Sequence, residues 1–196
     1  MKLFEIKQGK SVADLNLAYA GGDFFCNDNQ LTSLVGAPTS VGGSFYCANN
    51  KLTSLVGAPT SVNGDFFCNN NKLTSLVGAP TSVDGDFFCK NNKLTSLVGA
   101  PTSVNGDFYC ANNKLTSLHN IHKQVKSIGG AIILIDNPIK SHVLGVLLIK
   151  GVTEVGLDNR KVAAILNKHL PSQGMRSVLE AQEELIDAGF EDFAQL

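Results

Sequence analysis

The chain contains no tryptophan and only two methionines, and its 17 acidic residues nearly balance its 16 lysines and arginines. The resulting net charge of −1 leaves no electrostatic footprint for nucleic acid or a membrane surface at the level of the whole chain. Long apolar runs are missing too. The two most apolar stretches, Ala131 to Ile135 and Val143 to Ile149, fall far short of the ~20 residues that span a bilayer and read as core elements. The opening stretch Met1-Lys2-Leu3-Phe4-Glu5-Ile6-Lys7 lacks the apolar segment of a secretory signal, which makes a cytoplasmic protein the expectation.

Paired cysteines are also lacking. Cys26, Cys47, Cys68, Cys89 and Cys110 are odd in number and regularly 21 residues apart, without the close pairs of a zinc site or a disulfide framework. They are expected to be reduced, buried, small core hydrophobes. Nor is there a phosphate-binding loop: Gly21-Gly22, Gly42-Gly43 and Gly129-Gly130 read as turns entering strands, with no lysine-bearing helix after them. The aspartates do not have calcium-loop spacing. His119 and His122 follow Cys110, but that cysteine belongs to the repeated core position and both histidines lie in an irregular insert. No nucleophile stands with an acid or base partner, so a non-enzymatic protein with no cofactor and no metal is expected.

What the chain has is repetition. Leu-Thr-Ser-Leu-Val-Gly-Ala-Pro-Thr-Ser-Val recurs unchanged at 31–41, 52–62, 73–83 and 94–104, and a fifth copy begins at Leu115. A strict period of this length specifies a solenoid. Within one unit, Phe66 and Cys68 alternate on one face of a short strand, Asn71 ends the strand, and Leu73 and Leu76 follow as core residues. The return through Val77-Gly78-Ala79-Pro80 contains a breaker pair and is expected to be extended.

The spacing Phe66-x-Cys68-x-x-Asn71-x-Leu73 resembles that of short bacterial leucine-rich repeats, with Phe and Cys replacing two leucines and Gly-Ala-Pro in the return. Similar 21-residue units look like those of bacterial and phage proteins. The resemblance implies an α/β solenoid: a right-handed coil with a parallel concave sheet of about seven strands, extended convex returns and a helical C-terminal cap. It also implies a ladder of inward asparagines, Asn29, Asn50, Asn71, Asn92 and Asn113, bonding to backbone groups.

Three regions follow. Residues 1–20 form an N-terminal cap, to which Leu15, Leu17 and Ala20 supply an imperfect coil; 21–139 form the solenoid; and 140–196 form the C-terminal cap. Ile132, Leu134, Asn137 and Ile139 occupy the slots of Phe66, Cys68, Asn71 and Leu73 after an insertion of three residues within His119 to Ser127. Ser141 is expected to cap a short helix. Val152 to Leu157 reads as a last strand, Asp158 and Asn159 as caps of a helix through His169, and a final helix stops near Gly189, with Phe190 and Phe193 packing back.

If Phe66 and Cys68 point inward, their neighbours point out and form three stripes. These are Asp23, Ser44, Asp65, Asp86, Asp107; Phe25, Tyr46, Phe67, Phe88, Tyr109; and Asn27, Ala48, Asn69, Lys90, Ala111. Gln30, Lys51, Lys72, Lys93 and Lys114 make a basic border. Five exposed aromatics in line read as a partner site or as stacked rings that stabilise the ladder through cross-strand contacts; the first is favoured, and leucine-rich repeats hold proteins on their concave faces. The expected function is therefore a protein-interaction module, of the kind a phage or bacterial accessory protein uses to bind and block a host protein. The expected contact set is Phe25, Tyr46, Phe67, Phe88 and Tyr109 with Asp23, Asp65, Asp86, Asp107, Asn69 and Lys90. Two alternatives stand beside it: a nucleic-acid or phosphate-polymer binder using the lysines with the aromatics as stacking platforms, and a structural or self-assembling solenoid. The acidic stripe makes nucleic acid the less favoured partner. The acidic last helix reads as a solvated outer face or as a secondary contact surface.

Overall fold

The computed structural model describes residues 4–5 and 18–196, and in it the repeats wind into a β-solenoid of about seven coils closed by a helical C-terminal region. The first parallel sheet has eight strands, taking Phe4–Glu5, then Phe24–Phe25, Phe45–Tyr46, Phe66–Phe67, Phe87–Phe88 and Phe108–Tyr109, then Ala131–Ile133 and Glu154–Gly156. Register is strict: Phe66 lies between Phe45 and Phe87, and Phe67 between Tyr46 and Phe88. Like therefore stacks on like. Phe24, Phe45, Phe66, Phe87 and Phe108 are fully buried, as are all five cysteines, which are free thiols. Burial pushes the thiols of Cys26, Cys47, Cys68 and Cys89 well above the ordinary range for cysteine.

The return contains no helix at 35–41 or 77–83 and is extended as expected, but it carries a second sheet that the repeat pattern did not announce. Tyr19–Ala20, Ser40–Val41, Ser61–Val62, Ser82–Val83, Ser103–Val104 and Ser127–Ile128 pair in parallel, with the valines and Ile128 buried. Two-residue strands are too short to show a period, so extended return and paired strand look alike in sequence.

Three devices turn the chain within each coil. Asn71 reaches inward, its Nδ2 donating to the carbonyls of Cys47 (3.0 Å), Cys68 (3.1 Å) and Asn69 (3.3 Å), while its Oδ1 accepts from Leu52 N (3.0 Å). Asn50, Asn92, Asn113 and Asn137 repeat the pattern, so one amide ties each coil to the preceding one and satisfies groups that the turn leaves outside the ladder. Beside it, Asn49, Asn70, Asn91 and Asn112 take left-handed backbone, which asparagine tolerates. Their side chains hydrogen-bond from coil to coil at 2.6–2.9 Å. At the Val-Gly turn, Ala79 N donates to Leu76 O (2.9 Å) and Gly78 has φ +91°. A Cβ there would fall on the backbone of Leu55 and Val56 in the coil before, so only glycine fits.

At the N-terminal end, Phe4–Glu5 pairs with Phe24–Phe25, and Ala20 is buried; Leu15 and Leu17 lie outside the described residues. The insert at His119 to Ser127 holds one helical turn, α1 (Ile121–Gln124). After it, Ile132 and Asn137 fall in their expected slots, Ile132 opposite Phe108 and Asn137 Oδ1 accepting from Leu115 N (3.0 Å).

The expected helix after Ser141 is a 3-10 turn, Leu144–Leu148, and Ser141 does not cap it. His142 takes φ +58° and breaks the helical path before Val143, and the Ser141 hydroxyl lies 2.9 Å from His142 Nδ1 instead. Asn159 caps α2 (Arg160–His169) by accepting from Val162 N (3.2 Å). The last helix, α3 (Met175–Asp187), ends before Gly189, and Phe190 and Phe193 pack back on the core.

The cap also closes the strand edges. Asn167, on α2, clasps the last strand of the first sheet, accepting from Val155 N (2.7 Å) and donating to Val155 O (3.0 Å). Gln173 does the same for the segment beside the second sheet, donating to Ile149 O (3.1 Å) and Val152 O (3.3 Å) and accepting from Gly151 N (3.3 Å). Two amides thus occupy backbone groups that would otherwise template another strand.

Candidate partner-binding face

The outward side of the first sheet carries the aromatic stripe. Phe25, Tyr46, Phe67, Phe88 and Tyr109 are each half-buried, with successive ring centroids 4.5–4.7 Å apart and planes within 3–8° of parallel. The strand spacing of ~4.8 Å sets this separation. Each interior ring of the stripe is covered on both faces by its neighbours. What the stripe offers to solvent is a line of ring edges, together with the Tyr46 and Tyr109 hydroxyl groups. Beyond Tyr109 the same register position holds Ile133 and then Gly156, and Ile135, 42% exposed, lies close above Gly156. The apolar strip therefore runs on to the C-terminal cap.

The acidic stripe is built into the backbone. Asp65 Oδ1 accepts from Asp86 N (2.8 Å), Asp86 Oδ1 from Asp107 N (2.8 Å), and Asp107 Oδ1 from Ala131 N (2.7 Å). Asp23 Oδ1 serves Ser44 N (2.8 Å), and the Ser44 hydroxyl serves Asp65 N (3.0 Å). The strand amides of Phe66 and Cys68 go to Asp86 O and Phe88 O of the next coil, so each aspartate side chain takes the one amide at the corner that the sheet does not. A glycine in the following coil makes room for each carboxylate: a Cβ at Gly85, Gly106 or Gly130 would collide with Asp65, Asp86 or Asp107 respectively. This coupling is the signal that reading the aspartates as a surface stripe missed.

Tyr109 donates to Asp107 Oδ2 (2.6 Å). That hydrogen bond, with partial desolvation and the charges of Asp107 and Asp86, pushes its phenol up to about 12. Lys90 is exposed and Asn69 half-buried at the far border, and Lys51, Lys72, Lys93 and Lys114 stand beyond the asparagine corner. The predicted residues are thus in register on one side of the sheet, except that the lysine border belongs to the next flank of the coil.

Among the described residues, no group of three or more His, Cys, Asp or Glu side chains is placed to hold a metal ion. No helix among them is long and apolar enough to cross a membrane. Comparison with protein-family models, curated proteins and solved structures finds no match to this chain. The functional reading rests on the face itself.

Proposed function

We propose that this solenoid is a non-enzymatic recognition module, leucine-rich-repeat-like in its use, that holds a partner protein along the outward face of the first sheet. The observation that carries the reading is the continuous half-exposed strip of aromatic edges, prolonged by Ile133 and Ile135. An apolar strip of this kind, rimmed by Lys90 and Asn69, has the make-up of an interface core with a polar border. Ring faces already covered by neighbouring rings leave bases nowhere to stack, which weighs against a single-stranded nucleic acid. A bacterial or phage accessory protein that binds and blocks a host protein is one setting in which such a module works.

The test is affinity capture with the intact chain, run in parallel with the Phe67→Ala/Phe88→Ala/Tyr109→Ala variant and with a Lys72→Glu control on the neighbouring flank. A partner retained by the wild type and the control and lost by the triple variant supports the reading. A partner held equally by all three removes the aromatic face from consideration.

A further inference from the structure

A second surface is unsatisfied in a different way. On the flank between the asparagine corner and the glycine turn, Val35, Val56, Val77 and Val98 stand 47–59% exposed, one above another in successive coils. Lys51, Lys72, Lys93 and Lys114 form a parallel row on the same flank, and among the described residues none of them has a carboxylate within salt-bridge distance. The Lys51 ammonium donates to the neutral Gln30 Oε1 (3.0 Å). Coils stacked at the ~4.8 Å strand spacing thus present a row of like charges on this flank. At its C-terminal end the valine row opens into a groove of about 180 Å³, lined by Leu97, Val98, Leu118, His119, Ile121 and Gln124 among others.

The opposite pattern lies on α3. Met175, Leu179 and Ile186, spaced four and seven residues apart, share one helical face and are also 47–59% exposed. Next to them stand Glu183 and Asp187, which have no cation within salt-bridge distance among the described residues. From Met175 to Leu196 the chain carries six carboxylates against the single Arg176. Packing α3 on α3 of another copy would bring these carboxylate rows together. The valine and lysine flank avoids that: its apolar row meets the apolar face while its lysines meet the acids. The lengths agree as well. Four valines span roughly 14 Å at the sheet spacing, and Met175 to Ile186 span about 16 Å of helix.

We propose that the valine and lysine flank of one copy seats α3 of a second copy. The two surfaces differ, so the contact is heterologous and adds further copies unless the arrangement closes into a ring. The test is sedimentation velocity on the full chain over a wide range of concentration, with Glu183→Lys/Asp187→Lys on the helix side and Lys72→Glu/Lys93→Glu on the flank side. All four positions are exposed or rim residues outside the core, and circular dichroism checks that each variant is folded.

The expected result is concentration-dependent association in the wild type, weakened about tenfold or more by either double variant and by high salt. Mixing the two variants should restore association, because each then supplies the charge the other lacks. A wild type that stays monomeric at every concentration overturns the proposal. So does association that survives both double variants, or that is lost in the Phe67→Ala/Phe88→Ala/Tyr109→Ala protein instead, which would place the contact on the aromatic face.

Discussion

The adjacent pair Phe66 and Phe67 gives the sharpest check on the architecture, because one residue of register separates inside from outside. Phe66 is fully buried between Phe45 and Phe87, each with its ring centroid 5.4 Å away. Truncating it to alanine empties core volume and should cost about 3–5 kcal/mol. Phe67 is stacked as regularly, at 4.6 Å from both Tyr46 and Phe88, but its outer edge is in water. Its loss removes two stacked pairs at about 0.5–1.5 kcal/mol each, so about 1–3 kcal/mol is expected. Both changes fall in the same coil and disturb the same two coil-to-coil contacts, so the difference between them isolates burial from repeat coupling. Urea unfolding followed by circular dichroism measures it, with Phe66→Ala the less stable by roughly 2 kcal/mol. If Phe67→Ala proves equal or worse, the strand faces are inverted, and with them the whole outward surface described here.

Other outcomes follow from the corners and the core. Asp86→Ala should cost about 1–3 kcal/mol by leaving the Asp107 amide unpaired, whereas Asp86→Asn, which keeps an acceptor and removes a like charge from the ladder, should cost little; chemical denaturation of the two variants side by side separates these. The phenol of Tyr109, resolved by ultraviolet titration of the wild type against Tyr109→Phe, should ionise near 12 and move down toward 10 in Asp107→Asn. Because its folded value is raised, the stability it contributes is complete below about 10 and lost as pH rises through about 12. The five cysteines should react with a thiol reagent only at the rate of unfolding, and Cys68→Ser should destabilise by about 1–3 kcal/mol, since it buries a hydroxyl in the place of a small hydrophobe.

The repeat made the coil, the inward ladders of Phe, Cys and Leu, and the asparagine corner readable, because a side chain that recurs every 21 residues can only stack on its own copy. The slots of Ile132, Leu134 and Asn137 were readable through a three-residue insertion for the same reason, an inward pattern being harder to lose than a loop length. Other features were hidden. The second sheet consists of two-residue strands whose Ser-Val sequence has no period of its own. The aspartate stripe looked like surface charge because its role is a hydrogen bond to another coil's backbone, made possible by a glycine whose reason is visible only in three dimensions. Stacking of the Phe and Tyr rings is legible from their equal spacing, but which surface of the ring faces solvent depends on its tilt. The valine flank is not legible in the sequence because a lone exposed valine is ordinary, and only alignment of four makes it a surface.

The amide clasps of Asn167 and Gln173 have a bearing on how such a chain can vary. They hold the final rung by its backbone, and they sit wholly within the C-terminal cap. The coils before them carry an eleven-residue block repeated without change. Removing or adding one 21-residue unit between two such blocks would leave the terminator's own contacts unchanged. Each such change would lengthen or shorten the aromatic strip by one rung of ~4.8 Å, with the join made between identical blocks. The length of the strip is then set by the number of coils, in steps of one rung.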